Sequence, residues 1–114
     1  MTAHITDDLR LLYCPCPSQA EAIRLGRLLI ANRLAACVNI IPEMLSILIW
    51  NGQTEETHEA LLLAKTTGER LEAAKAFLLS EHPYDCTALL TFTAGSVPEF
   101  AKWVTASCTV DTYT

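Results

Sequence analysis

Hydrophobic positions change their spacing several times along the chain, and each change predicts an element. Leu9 to Cys14 (Leu-Arg-Leu-Leu-Tyr-Cys) reads as a short strand, ended by Pro15 and Pro17. Ser18 then stands three residues before Glu21, a capping box, and Ala22, Leu25 and Leu29 follow at i, i+3 and i+7. A helix to about Asn32 is predicted, with Arg24 and Arg27 opposite the apolar stripe and Gly26 beside it, where it permits close packing on a sheet. From Leu34 to Thr66 the chain reads as two long strands: Leu34 to Ile41, a break at Pro42-Glu43, Met44 to Trp50, then Gln53 onward. Asn51-Gly52 between them is a hairpin signal, because both residues accept the positive φ of a type I′ turn. The run Ala60-Leu61-Leu62-Leu63-Ala64 does not alternate, which suggests a strand covered on both faces.

Thr66 and Glu69 form a second capping box, followed by Leu71, Ala74 and Leu78 at helical spacing and a stop near His82, before Pro83. Cys86 to Thr93 reads as a last strand. Ser96 and Glu99, with Pro98 in the first turn, open a final helix that carries Phe100, Trp103 and Val104 on one face to about Cys108. Residues 1–8 read as polar and frayed, and Thr109–Thr114 as a short β-prone tail.

The order β-α-β-β-α-β-α is the split βαβ, ferredoxin-like α+β plan in one domain over residues 1–114. Right-handed crossovers place the first two helices on one sheet face. The other face then needs cover from the last helix or from another subunit. Seventeen residues of strand span roughly 55 Å at ~3.3 Å per residue, against a radius of gyration of ~13 Å for a domain of this size. The hairpin must therefore bend, protrude or lie across another subunit, and Pro42 supplies a bend.

Composition supports association. Apolar residues make up 51% of the 114 residues and charged ones only 18%, an excess that a subunit interface would absorb. A net charge of −5 without a basic cluster argues against nucleic acid and anionic membranes as partners. No apolar run approaches the ~20 residues of a membrane span. The start, Met1-Thr2-Ala3-His4, lacks the pattern of a signal peptide, and five cysteines are an odd number without disulfide-framework spacing. Both point to a reducing cytoplasm.

Candidate chemistry is scattered. Cys14 and Cys16 are read as facing opposite ways, so that they share one metal only if Pro15 turns the chain; otherwise one is buried and the other lies in a loop. His82, in Glu81-His82-Pro83-Tyr84-Asp85, is either a helix C-cap, an inter-subunit hydrogen-bond partner or a metal ligand. The end of strand one and the start of strand four can share one end of the sheet, which would let Cys14 and His82 meet. Imidazole with thiolate suits copper or zinc better than magnesium. Cys37 reads as core, and Asn39 on the same strand face needs partners. Lys65 is either a solvated strand end or the cation of a small anionic site. Glu55, Glu56, His58 and Glu59 read as a solvated strand tip or, alternatively, a weak surface metal site, and Trp50 and Trp103 as interface or core aromatics.

Arg33-Leu-Ala-Ala-Cys-Val-Asn-Ile-Ile-Pro42, Ser46-Ile47, Trp50-x-Gly52, Glu59, Leu63-x-Lys65-Thr66, His82-Pro-Tyr84 and Trp103 resemble the CutA divalent-cation-tolerance proteins over about residues 9–107. The resemblance implies a ferredoxin-like fold, a homotrimer built through the long hairpins, and divalent metal ions, copper in particular, as partners, with no catalytic reaction assigned. It implies metal ligands at Cys14 and His82. Some members carry a second histidine just before the His-Pro-Tyr motif, and here Glu81 offers oxygen in its place. Leu48 and Phe100 stand where family members often have tyrosine, and Cys86-Thr87 where Val-Pro is typical. The alternative reading is a PII-like small-molecule sensor or scaffold, with a small anion bound in inter-subunit clefts near Lys65 and His82.

Overall fold

A computed structural model describes residues 8–109; the expectations for the frayed start and the C-terminal tail lie outside these residues. The elements are β1 (Leu9–Cys16), α1 (Gln19–Ala31), β2 (Cys37–Trp50), β3 (Gln53–Thr67), α2 (Gly68–Glu81), β4 (Leu90–Ala94) and α3 (Pro98–Cys108). The strands form one antiparallel sheet in the order β2-β3-β1-β4. This is the predicted α+β, ferredoxin-like arrangement.

Alternation along the strands builds the core. Leu12, Cys14 and Cys16 of β1 and Ala60, Leu62 and Ala64 of β3 share one face and pack against Ala22, Leu25 and Leu29 of α1 and Leu71, Ala74 and Leu78 of α2. Gly26 lets α1 approach this face. A Cβ there would sit 3.1 Å from Val38 Cγ2 and 3.5 Å from Leu62 Cδ1.

The first capping box forms as read, with Ser18 Oγ accepting from the Glu21 amide at 3.1 Å. The second is displaced by one residue. Thr67 caps α2, accepting from the Arg70 amide at 3.3 Å, while Thr66 stays in β3 and turns its hydroxyl to Cys108 Sγ at 3.7 Å. The third does not form: Val97 is the N-cap of α3 and Ser96 Oγ donates to the Val97 carbonyl instead. Pro98 at the start of α3 needs no donor partner there.

Two boundaries differ from the prediction. Pro15 does not end β1, which runs on to Cys16 with Pro15 opposite Leu61. The ring is tolerated because β4 pairs with β1 only as far as Tyr13, which leaves one side of β1 without a ladder at Pro15. β4 is confined to Leu90–Ala94 rather than beginning at Cys86, and Pro15 has no amide hydrogen with which to extend the ladder beyond Tyr13.

Asn51 (φ 53°) and Gly52 (φ 77°) both take the positive φ of the hairpin turn. At Pro42-Glu43 the register slips: Ile41 faces Leu61 but Met44 faces Glu59, so two residues of β2 oppose Ala60 alone. This bulge exchanges the faces of odd and even residues in the outer half of β2. The long hairpin stretches the subunit to 52 × 31 × 22 Å, with a radius of gyration of 15.4 Å.

Cover on the second face is partial. α3 packs Ala101, Val104 and Cys108 against Leu9, Ala36 and Ala94, closing the end of the sheet where β1 begins. Ile41, Leu90 and Phe92 remain 44–54% exposed on that face, and no helix among the described residues is long and apolar enough to cross a membrane.

Candidate metal centre

The far end of β1 meets the C-terminus of α2. Among the described residues, one group gathers metal-ligating atoms: Cys14, Cys16 and His82, all buried, with donor atoms within 4.8 Å of one another. Residues i and i+2 of a strand point the same way, so the continuation of β1 through Pro15 puts both thiols on the helix-covered face. The expectation that they face opposite ways is therefore corrected. Cys16 thus joins Cys14 and His82, a placement that the Cys-x-Cys spacing signals once Pro15 lies within the strand.

His82 is the C-cap of α2, its amide donating to the Leu78 carbonyl at 2.9 Å. Its ring is fixed from two sides. The Tyr84 amide can only donate, so His82 Nδ1 accepts from it at 3.1 Å. The ring proton then resides on Nε2, which donates to the Pro15 carbonyl at 2.8 Å. The C-cap reading of His82 is thus the one observed, and its ring lies beside the two thiols.

The two thiols interact. A hydrogen bond from Cys14 draws Cys16 below the ordinary thiol range, against the opposing effects of burial and of the Glu21 and Glu59 charges, with Arg24 assisting. The same bond, reinforced by burial and by charge on Cys16, pushes Cys14 far up. The pair therefore loses its first proton more readily than its second.

Around this group the polar residues are engaged. Arg24 donates to Glu21 at 3.0 Å, to Glu81 Oε1 at 3.1 Å and to the Glu81 carbonyl at 3.0 Å, which ties α1 to the end of α2. These bonds raise the Arg24 guanidinium and hold Glu21 below the usual carboxylate range. Glu81, a predicted ligand, is exposed, turned to Arg24 and not grouped with the thiols and imidazole. Tyr84 lies 4.8 Å from His82 between ring centroids and donates its hydroxyl to Glu59 Oε2 at 2.9 Å. Burial, then Glu59, pushes its phenol up to about 12.

The other candidates lie elsewhere. Lys65 Nζ donates to Asn39 Oδ1 and lies 3.8 Å from Cys37 Sγ. Cys37 is half-buried rather than core, and Asn39 is exposed. Lys65 faces Leu11 across the sheet, whereas His82 binds Pro15, so one subunit keeps them at opposite ends of β1. At the hairpin, His58 Nδ1 and Glu43 form an exposed pair at 3.3 Å. Trp50 and Trp103 are 47% and 49% exposed, which leaves the interface reading and removes the core one.

A family profile described as CutA1 divalent ion tolerance protein matches residues 10–107. A CutA homologue from Xenopus laevis is 35% identical over 103 residues, covering 90% of this chain and 68% of its own length, so the chain spans about two thirds of that relative. The crystal structure of CutA from Xylella fastidiosa superposes with a TM-score of 0.86 at 32% identity, covering 90% of this chain and 99% of that one. A PII-like CutA from Nostoc, at 23% identity and a TM-score of 0.82 over 88% of this chain and 97% of its own, shares the fold.

Proposed function

The chain belongs to the CutA1 divalent ion tolerance family, and from that premise we propose that it is a homotrimeric, non-enzymatic copper-binding protein of the cytoplasm. The observation that carries this reading is the buried group of two thiols and one imidazole within 4.8 Å. Such a donor set suits soft or borderline transition metals and excludes magnesium or calcium, which take oxygen ligands. Cys14 and His82 are its predicted ligands, joined by Cys16; Glu81 is left to its ion pair with Arg24. Unpaired thiols at Cys14, Cys16, Cys37, Cys86 and Cys108 support a reducing compartment. The open edge of β2 and the exposed Leu45, Ile47, Ile49 and Trp50 support assembly through the hairpins.

Anaerobic copper titration against a competing chelator tests the reading. The parent binds stoichiometrically, and a variant lacking both thiols, Cys14→Ser with Cys16→Ser, does not. Equal binding by the two proteins would remove the site.

The PII-like sensor reading rests on a different observation, the Lys65 ammonium beside Asn39 and Cys37 on the open sheet face. A metabolite panel read by thermal shift tests it. A small carboxylate that stabilises the parent but not Lys65→Met would support it, and a flat panel on an intact trimer would count against it.

A further inference from the structure

We propose that the ion preferred by this pocket is monovalent and soft, Cu(I) or Ag(I) in class, and is held between the Cys14 and Cys16 sulfurs with His82 as a positioning residue. The inference rests on the metal-binding reading above and adds the charge class of the ion and the order of the donors.

Three observations carry it. The first is spacing. Both thiols are fully buried on one strand face, and their sulfurs lie within 4.8 Å. A metal–sulfur bond of ~2.3 Å lets one ion in line with two thiolates span up to ~4.6 Å. The strand therefore holds the two sulfurs close enough for one ion to be shared between them. Pro15, between them, fixes its own φ and restricts that of Cys14, so the spacing is held by the backbone.

The second is the state of His82. Nδ1 accepts from the Tyr84 amide and Nε2–H donates to the Pro15 carbonyl. Either nitrogen can ligate only after giving up a hydrogen bond inside a buried site. The thiols make only the weaker hydrogen bonds of sulfur, to each other and to backbone carbonyls at 3.4 Å for Cys16 and 4.0 Å for Cys14. The imidazole instead anchors the Pro15 carbonyl and with it the Cys-Pro-Cys strand.

The third is coordination number. Zn(II) takes four ligands in closed sites and Cu(II) favours tetragonal ones. The group offers three donors, and the nearby carboxylates are engaged, Glu81 by Arg24 and Glu59 by Tyr84. A divalent ion would be better matched in charge to two thiolates, but it would lack ligands. A monovalent ion is complete with two. Binding exchanges one cation for the two thiol protons. Two sulfur–metal bonds form, two S–H bonds break, and no electron is transferred.

The test is anaerobic titration of the parent with Ag(I), which is redox-inert, and with Zn(II), each against a chelator, in weak buffer so that released protons are counted. The expected result is one Ag(I) per chain with two protons released, preference over Zn(II), and loss of tight binding in both Cys14→Ser and Cys16→Ser. His82→Gln falls by about tenfold, within the range for partners that orient ligands. X-ray absorption on the Ag(I)-loaded parent shows two sulfur neighbours, a readout that holds even where a serine variant fails to fold. Tighter Zn(II) binding that survives Cys16→Ser but not His82→Gln would overturn this inference and leave the metal-binding reading standing. Failure of the parent to bind either ion would overturn both.

Discussion

The two halves of the hairpin belong to the same two strands and live in opposite surroundings. Inside the bulge at Pro42-Glu43, Leu61 is 6% exposed and Leu62 and Ala64 not at all. Outside it, Leu45, Ile47 and Ile49 are 52%, 64% and 75% exposed. The outer arm of β2 is as apolar as the inner strands although its partner, Gln53 to Glu59, is polar, so hydrophobicity alone does not locate the core. The difference is cover. One face of the inner half, with Leu62 and Ala64, lies under α1 and α2, and Leu61 is buried on the other face, whereas the outer arm of β2 is uncovered. An apolar strand without cover at a sheet edge is an association surface, and the bulge marks where subunit core gives way to proposed interface.

Substitutions on either side of the bulge probe that contrast. Leu62→Ala removes a fully buried side chain and should cost about 2–5 kcal/mol in urea unfolding at any protein concentration. Gly26→Ala sets a methyl group 3.1 Å from Val38 Cγ2, and this crowding opposes a helix-propensity gain of about 1 kcal/mol, so its net effect should be much smaller than that of Leu62→Ala. Cys108 probes the end closed by α3. Burial raises its thiol, against the opposing hydrogen bond from Thr66 and the charges of Arg70 and Arg33. Its folded pKa thus lies above the unfolded value, so its contribution is intact below pH 9.0 and is lost as pH rises through and beyond that point. Cys108→Ala should flatten the alkaline fall in melting temperature, and an unchanged fall would show that this thiol is not its source. Ile49→Ala should cost the least, within about 0.5 kcal/mol in dilute protein, with the cost rising as concentration increases. A concentration-independent loss as large as that of Leu62→Ala would erase the contrast between the halves.

Local chemistry made much of this legible. Asn51-Gly52, Ser18 with Glu21, and Pro42 act through their own backbone or near neighbours, and each does what its residue type requires. What was missed depends on residues distant in sequence. Thr66 forms no cap because Cys108, 42 positions away, packs on its hydroxyl. Glu81 joins no metal group because Arg24, 57 positions away, holds its carboxylate. α3 covers only the end of the second face because Leu9, Ala36 and Ala94 converge there. Cys16 is a different case. Strand alternation suffices to place it beside Cys14, provided that Pro15 is allowed inside an unpaired stretch of strand.

Assembly through the hairpins is tested most directly by the solution mass of the parent compared with an Ile47→Glu, Ile49→Glu variant, measured by light scattering over a dilution series. Three times the chain mass of 12.5 kDa is expected for the parent, and a folded single-chain mass for the variant, because the charges fall on the uncovered half of the hairpin. A parent that runs as a single chain at every concentration, or a variant that keeps the parent's mass, would contradict it.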